Sequence, residues 1–258
     1  MKIVVMKNVS ILGCGWLGKP MAVSLLNNGF SVKGSTTSEI KIQELEALEI
    51  ETYLIDINEF EEFNSFLMSD ILIIAITSKD IDAYESLVQQ IELSSIQKVV
   101  FISSTSVYPI SNTVVSEETK TLNTPLLQIE NLFIENTYFE TTILRFAGLF
   151  GPGRHPGSWF KNGRKIPQPD GFVNMIHQED CIEIIHEIID QNCWNSVFNA
   201  CSNDHPTRQD FYKNARKSLN FDAPIFEENS SLKYKIISSK KLQIALGYTF
   251  IYDDLLAI

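Results

Sequence analysis

The residues best suited to binding chemistry form a glycine-rich turn near the start of the chain, with Gly13, Gly15, Trp16, Leu17 and Gly18 in the spacing GxGxxG. The turn follows a short apolar strand pattern and opens a helix. Gly13 permits a tight turn, Gly15 lets the backbone approach a pyrophosphate, and Gly18 lets helix and strand pack closely. Because free N–H groups at a helix N-terminus attract phosphate, the pattern predicts a dinucleotide-binding turn with Trp16 packing beside it. The alternative is a plain βα turn whose glycines serve packing alone.

The end of the second predicted strand is where the base-side ribose of a dinucleotide would be recognised. No carboxylate stands at this strand end to repel a 2′-phosphate, and the hydroxyls of Ser35 and Thr36 could donate to one. NADP therefore fits as well as NAD, and the hydroxyls slightly favour NADP. Glu39 is interpreted as the acid of a Thr36-x-x-Glu39 capping box for the next helix. Asp56, after the third strand, is expected either to accept from the adenine amino group or to cap a turn.

Strand-like and helix-like segments alternate along the chain, which is typical of a parallel sheet with crossover helices. The patterns predict strands at 9–12, 30–34, 51–55, 70–76, 98–103, 141–146 and 196–200, and helices at 16–28, 40–48, 59–67, 83–93, 126–137, 179–190 and 207–219. We therefore expect a single Rossmann-type α/β domain over residues 1–258, with a doubly wound parallel sheet. Residues 148–171, rich in glycine, proline and basic side chains, are expected to form a long loop. Residues of about 148–178 and 201–258 are expected to form a small C-terminal substrate-side lobe.

Composition and charge limit the kind of partner. The chain has 258 residues and a net charge of −11, so it would repel nucleic acid and anionic membranes, and we expect neither as a partner. Its four cysteines form no CxxC pair and have no histidine at metal-ligand spacing, which predicts free thiols and no metal site. No apolar stretch is long enough to span a bilayer. The sequence therefore predicts a soluble cytoplasmic protein that binds a small molecule.

Further motifs follow the glycine turn in a fixed order: VFISSTSVY at 100–108, LRFAGLFGPGR at 144–154 and VNMIHQED at 173–180. Together with the turn they resemble the extended short-chain dehydrogenase/reductase family, in its NAD-dependent epimerase/dehydratase branch, and most of all its atypical nucleotide-sugar epimerase members. The resemblance implies an NAD(P)-binding protein that acts on a nucleotide sugar or a similar polar metabolite. It also implies a homodimer.

The same resemblance implies roles for several residues. Ser104 matches the active-site Ser/Thr that hydrogen-bonds a substrate oxygen, with the capping of a strand end as its alternative role. Tyr108 matches a tyrosine that shapes the substrate pocket, and Arg145 is expected to have a structural partner. His177 and Asp180 match the segment that links the sheet to the substrate lobe, although Asp180 could also cap the helix after it.

One part of the family pattern is missing, the Tyr-x-x-x-Lys pair whose tyrosine is the usual general acid/base. None of the eight tyrosines has lysine four residues later, and Leu122 and Leu126 occupy the matching positions. Another proton donor is therefore needed. His155, in the glycine-rich loop, could titrate near neutrality, unless it is merely an exposed loop residue. Its neighbour Arg154 offers a cation for a phosphorylated or carboxylated substrate, although the basic residues here could equally form a solvated surface.

These residues leave two functional classes open. The first is an enzyme, an NAD(P)-dependent epimerase, dehydratase or reductase in which Ser104 binds the reacting oxygen and His155 or water moves the proton. The second is a non-catalytic NAD(P)-binding protein with a regulatory or redox-sensing role, which the loss of the Tyr and Lys would favour. Turnover that disappears when Ser104 or His155 is replaced would separate the two classes.

Overall fold

The architecture divides into two compact units. It is seen in a computed structural model that describes residues 7–59, 63–160, 163–228 and 230–257. Of these residues, the first unit comprises those within Met1–Ser103, Asn123–Leu144 and Ile188–Val197, and the second those within Ser104–Leu122, Arg145–Glu187 and Phe198–Ile258. The two segments predicted as a substrate-side lobe lie within the second unit, which also contains 104–122.

Strands and helices alternate through most of the chain. The strands are β1 (Asn8–Leu12), β2 (Ser31–Thr36), β3 (Glu51–Leu54), β4 (Ile71–Ile74), β5 (Lys98–Ser104), β6 (Val114–Val115), β7 (Glu140–Phe146), β8 (Gly148–Phe150), β9 (Met175–His177), β10 (Ser196–Ala200) and β11 (Ile236–Ile237). The helices are α1 (Gly18–Asn27), α2 (Ile42–Glu46), α3 (Ile81–Glu92), α4 (Pro125–Ile134), α5 (Gln178–Asp190), α6 (Arg208–Ser218) and α7 (Lys240–Leu246), and short 3₁₀ helices occur at Glu39–Lys41, Thr105–Val107 and Pro156–Ser158. Within the described ranges, no helix is long and apolar enough to cross a membrane.

The main sheet confirms the predicted fold class. Seven parallel strands form it in the order β10-β7-β5-β4-β1-β2-β3. This is a doubly wound order, in which the chain moves outward from β1 on one side and then outward from β4 on the other. Strand β4 is buried along its whole length, as expected of a strand covered on both faces. In such sheets ligands bind outside the carboxyl ends of the strands where the order reverses, so the residues that follow β1 stand where a ligand is expected.

An aromatic cluster forms the centre of the core in the first unit. Phe101 of β5 and Phe133 of α4 stack with their ring centroids 5.0 Å apart, and Tyr84 of α3 meets Phe101 edge-on at 5.9 Å. All three side chains are at most 1% exposed. Because large rings bury much apolar area, this cluster fixes α3 and α4 against the sheet.

The prediction of a helix at 59–67 is wrong for the residues that the structure describes. Residues 60–62 lie outside the described ranges, and 64–67 form a turn rather than a helix. The segment contains the apolar residues Phe63 and Phe66. Both side chains are indeed buried, but a buried face over so few residues does not distinguish a helix from consecutive turns.

The predicted capping box is also wrong. The hydroxyl oxygen of Thr36 accepts from the N–H of Ser38 at 3.2 Å, two residues on. Glu39 begins a 3₁₀ helix that Ser38 precedes without a side-chain cap. The physical reason is that β2 continues through Thr36, so the helix predicted at 40–48 starts later and becomes an α-helix only at Ile42–Glu46.

The second unit contains two short parallel strand pairs, β6 with β11 and β8 with β9. The long loop predicted at 148–171 is therefore partly wrong, because β8 lies at its start and a 3₁₀ helix follows. Gly148 of β8 is paired with Met175 of β9, 27 residues away. A strand of this length leaves no period-two pattern in the sequence, since its pairing depends on a distant partner.

Replacing Phe133 with alanine is expected to lower the free energy of unfolding by about 3–5 kcal/mol, because it empties the centre of the aromatic cluster. Ile134→Ala is the matched control, since the neighbouring side chain on the same helix is 46% exposed. Urea unfolding followed by circular dichroism measures both variants. Equal losses of stability for the two would contradict this description of the core.

Candidate functional site

The glycine turn has the packing geometry that the sequence predicts. Gly13 has φ +99°, and a Cβ there would lie 2.9 Å from the carbonyl oxygen of Ala75. A Cβ on Gly18 would lie 2.1 Å from the carbonyl oxygen of Gly13, so helix and turn touch through backbone alone. A Cβ on Gly15 would meet no atom within 4 Å. Gly13 and Gly18 are therefore required for packing, whereas Gly15 borders open space.

The N-terminus of α1 carries no side-chain cap. Its N-cap residue is Leu17, and its first turn contains no acidic residue. Leu17 is 7% exposed and packs into the core, while Trp16 beside it is only partly buried. A helix end without a hydroxyl or carboxylate cap keeps its partial positive charge for another group. This end of the ten-residue helix can therefore receive an anion.

Ser35, at the end of β2, holds the turn from the neighbouring strand. Its hydroxyl oxygen accepts from the N–H of Gly13 at 2.9 Å, and its carbonyl oxygen accepts from the N–H of Cys14 at 2.7 Å. Ser35 is 1% exposed and Thr36 is 8% exposed. The structure thus assigns Ser35 a positioning role that the sequence did not suggest. A contact of Ser35 or Thr36 with a 2′-phosphate stays a prediction.

Gly34 is a packing position beside the glycine turn that sequence reasoning missed. A Cβ on Gly34 would lie 2.6 Å from the Sγ of Cys14 and 2.7 Å from the Cγ2 of Ile50. The glycine therefore lets β2 approach the turn closely, and a glycine inside a strand pattern is the signal that could have indicated this. Burial raises the pKa of the Cys14 thiol to about 12. That thiol is consequently a packing group and not a nucleophile at neutral pH.

Asp56 follows β3 and forms a local turn. One carboxylate oxygen accepts from the backbone N–H of Asn58 at 3.0 Å and from its side-chain amide at 2.6 Å. Of the two roles expected for Asp56, the turn-capping one is present in the structure. Its contact with an adenine amino group stays a prediction.

Ser104 ends β5 and begins a tight 3₁₀ turn, Thr105–Val107, which we call the Ser104 turn. The hydroxyl oxygen of Ser104 accepts from the N–H of Ser106 at 3.1 Å, so the capping role expected as an alternative is present. Ser104 is half-buried, and among the described residues no acceptor takes its hydroxyl proton. A contact between Ser104 and a substrate stays a prediction.

Tyr108, just after the Ser104 turn, is buried and has its hydroxyl in an internal network. The hydroxyl donates to Oδ1 of Asn199 at 2.9 Å and accepts from Nη1 of Arg145 at 2.6 Å. Glu117 accepts from the backbone N–H of Asn199 at 2.7 Å. Burial raises the pKa of Tyr108, against the opposing effect of Arg145. Arg145 thus has the structural partner expected for it, and the phenol of Tyr108 is directed at these partners.

Lys235 contacts the same turn and was not singled out by the sequence. Its Nζ donates to the carbonyl oxygen of Thr105 at 2.8 Å and to that of Tyr108 at 2.7 Å. The side chain is half-buried, and this burial lowers the pKa of Lys235. These contacts bridge 130 and 127 residues of chain, so no local pattern could have indicated them.

His155 and Arg154 lie in the glycine-rich loop. The Nδ1 of His155 accepts from the N–H of Gly157 at 3.2 Å, and Nε2 lies 3.5 Å from the hydroxyl of Ser218. Burial lowers the pKa of His155, which favours the neutral ring, and the hydrogen bond that Nδ1 accepts from Gly157 requires the ring proton to be on Nε2. His155 is therefore partly buried rather than simply exposed, whereas Arg154 is exposed.

His177 is buried at the end of β9. Its ring lies against that of Tyr252, tilted by 31° with centroids 3.6 Å apart, and its Nδ1 accepts from the N–H of Glu179 at 3.2 Å. Its Nε2 would lie 3.1 Å from a Cβ on Gly151. Burial lowers the pKa of His177. The imidazole is thus a packed, neutral group, and its contact with a substrate stays a prediction.

Asp180 does not cap α5, because the helix already begins at Gln178. Its carboxylate is fully buried and accepts from the hydroxyl of Tyr248 at 2.8 Å and from the N–H groups of Ile251 and Tyr252 at 2.7 and 3.1 Å. The suggested capping role is therefore wrong. Asp180 instead ties the C-terminal segment to α5, because a buried carboxylate needs several donors.

The positions that match the missing Tyr-x-x-x-Lys pair carry no proton donor. Leu122 is 44% exposed, and Leu126 on α4 packs against the apolar core of the first unit. On the same helix Glu130 is fully buried and accepts a hydrogen bond from Ser103. Glu130 thus joins α4 to the end of β5, a contact made within the first unit.

The parallel sheet, with its reversal beside a glycine turn and an uncapped helix N-terminus, defines the class of Rossmann-type dinucleotide-binding folds. Residues 8–129 match the family model of the NAD binding domain of 6-phosphogluconate dehydrogenase. The chain belongs to the YeeZ protein family. It is 31% identical to protein YeeZ of Escherichia coli strain K12, over 96% of this chain and 97% of that protein.

Solved structures share the fold over nearly the whole chain. A conserved protein of unknown function from Silicibacter pomeroyi has a TM-score of 0.84 at 19% identity and covers 98% of this chain and 96% of its own. UDP-glucuronic acid 4-epimerase from Bacillus cereus, solved with NAD, has a TM-score of 0.79 at 18% identity, with 97% and 96% covered. Identities this low establish a common fold and leave the reaction open.

Gly18→Ala is expected to destabilise the protein by about 3 kcal/mol, because the new methyl group would overlap the carbonyl oxygen of Gly13 and force the turn away from the helix. Gly15→Ala is the matched control, since a methyl group there meets open space. Thermal unfolding compares the two Tm values with that of the wild type. A Gly18→Ala variant as stable as Gly15→Ala would contradict the close packing of turn and helix.

Proposed function

We propose that this protein binds a nicotinamide dinucleotide and acts on a nucleotide sugar or a similar polar metabolite, as an NAD(P)-dependent epimerase, dehydratase or reductase. The observation that carries the proposal is the open space at Gly15 beside the uncapped N-terminus of α1. A pyrophosphate is the group that such an end of a helix attracts. The match of residues 8–129 to an NAD-binding domain supports the proposal. The fold that this chain shares with UDP-glucuronic acid 4-epimerase also supports it.

The residues of the first unit fit such a cofactor. The backbone of Gly15, Trp16, Leu17 and Gly18 would hold the pyrophosphate, because the N–H groups of Gly13 and Cys14 are already bonded to Ser35. When bound, the dinucleotide supplies a nicotinamide ring that gives or takes a hydride. Since β2 ends without a carboxylate, NADP is the form we favour and NAD the alternative.

Residues of the second unit would act on the substrate. Ser104 would donate its hydroxyl proton to the reacting oxygen while it accepts from the Ser106 N–H. Arg154, exposed in the glycine-rich loop, would attract a phosphate or carboxylate. Tyr108 and His177 are buried and would support the substrate-binding residues of the second unit through packing. The partners we propose are this small metabolite and a second copy of the chain, in the cytoplasm.

His155 would have to release its hydrogen bond from Gly157 before it could accept a proton, because Nδ1 is its acceptor nitrogen and Nε2 carries the ring proton. Its lowered pKa favours the neutral ring. A neutral imidazole with one nitrogen occupied has little capacity left to protonate a substrate.

A non-catalytic, regulatory role in binding NAD(P) is the second candidate. The observation that favours it is the pair Leu122 and Leu126, which carry no ionisable group where the Tyr and Lys of related enzymes stand. The phenol of Tyr108 does not replace them, since it is committed to Arg145 and Asn199. Turnover with any nucleotide sugar would exclude this role.

Gly15→Ala is expected to weaken dinucleotide binding at least about tenfold, a loss of about 1.4 kcal/mol, while the protein stays folded. The added methyl group would occupy the space that the pyrophosphate needs. Fluorescence titrations with NADPH and NADH measure the dissociation constants. Ser104→Ala is the control, because it should bind both dinucleotides like the wild type.

The same proteins should then be assayed with UDP-glucose and UDP-glucuronic acid. Wild-type turnover that is lost in Ser104→Ala would support the enzyme. Wild-type protein that binds neither dinucleotide at millimolar concentration would overturn the proposal as a whole.

A further inference from the structure

The proposed reaction requires a proton to move to or from a substrate oxygen, and the second unit contains an ionisable group well suited to this. Leu122 cannot supply it, and the imidazole of His155 is already occupied. Lys235 is held against the Ser104 turn by two hydrogen bonds, to the carbonyl oxygens of Thr105 and Tyr108. An ammonium group has three N–H donors. Two of them are used by these carbonyls, and the third has no acceptor within the part of the chain that the structure describes.

The backbone around Lys235 is fixed on both sides. Before it, Asn112 forms two hydrogen bonds with the backbone of Tyr234, both 2.9 Å long. At and after it, the side chain of Asn174 donates to the carbonyl oxygen of Lys235 and accepts from the N–H of Ile237, both at 2.8 Å. Catalytic groups act best when they are held in place before the ligand arrives, and Lys235 meets this condition.

The charged surroundings of Lys235 also suit a proton donor. No carboxylate within the described ranges lies at ion-pair distance from its Nζ. Tyr108, whose carbonyl oxygen Lys235 binds, has its phenol in a network with Arg145 and Asn199, and the backbone N–H of Asn199 donates to Glu117. Burial without a counter-ion lowers the pKa of Lys235. A lysine of this kind releases its proton more easily than an exposed one.

We propose that Lys235 is a catalytic residue which donates a proton to the substrate oxygen bound at Ser104. This inference rests on the proposed function. In the step, the Nζ–H bond breaks, its electron pair stays on nitrogen, and the proton forms a bond to the oxygen. The resulting neutral amine regains a proton from water, and in the opposite direction it accepts the proton from the substrate hydroxyl.

The first arm of the experiment needs no substrate. The protein is labelled with ¹⁵N-lysine, the Nζ resonance of Lys235 is assigned by its absence in Lys235→Arg, and its titration is followed by NMR. We expect Lys235 to titrate at lower pH than Lys233, an exposed lysine two residues away. If Lys235 titrates together with the exposed lysines, the proposal is overturned whatever the substrate is.

The second arm separates proton transfer from mere support of the turn. Lys235→Arg keeps the positive charge and the donors for both carbonyl oxygens, but a guanidinium does not give up its proton. We expect this variant to keep the wild-type Tm and NADPH affinity, yet to lose about 100-fold or more in kcat with UDP-glucose or UDP-glucuronic acid. Lys233→Met is the matched control and should leave kcat, KM and Tm unchanged.

The outcomes distinguish the two proposals. If Lys235→Arg turns over at the wild-type rate with an unchanged pH profile, Lys235 only supports the turn and our inference is wrong. If the wild type turns over neither sugar nucleotide while Lys235 titrates below Lys233, the proposed substrate class fails, and only the lowered pKa that the inference requires is confirmed.

Discussion

The contact between the glycine turn and β2 is the constraint on which the first unit depends. One residue, Ser35, accepts from two successive amides of the turn, through its hydroxyl and its carbonyl oxygen. Gly34 makes this approach possible, since any side chain there would overlap Cys14. The N–H groups of Gly13 and Cys14 are already hydrogen-bonded to Ser35. An anion at the uncapped end of α1 would therefore be bound by the N–H groups from Gly15 onward.

Much of this fold follows from patterns within a few residues of one another. Buried parallel strands read as continuous β-branched runs, and α1 can pack on the turn only if residue 18 is glycine. Both features are visible in the sequence because the residues that produce each of them lie close together along the chain. The helix predicted at 59–67 is wrong because consecutive turns can bury the same side chains, Phe63 and Phe66, that a short helix would bury.

The candidate site was less predictable, because its decisive contacts join distant parts of the chain. The motif around Ser104 and Tyr108 is recognisable, but its partners are not. Arg145 lies 37 residues from the phenol that it contacts, and Lys235 lies more than 120 residues from both carbonyl oxygens that it holds. No spacing rule connects such residues, and only the folded backbone brings them together.

Tyr108 explains why the Ser104 turn can be rigid and polar at the same time. Its carbonyl oxygen is bound by one cation, Lys235, and its hydroxyl by another, Arg145. Arg145 and Asn199 occupy the hydroxyl of Tyr108 with hydrogen bonds, so this tyrosine is not available to transfer a proton. Lys235 uses two of its three N–H donors on the carbonyl oxygens of Thr105 and Tyr108 and has no carboxylate at ion-pair distance among the described residues, so one donor is left for a ligand. The different roles of Tyr108 and Lys235 thus follow from their hydrogen bonds. A group whose donors and acceptors are all used supports the structure, whereas a group with a donor left over can still bind a ligand.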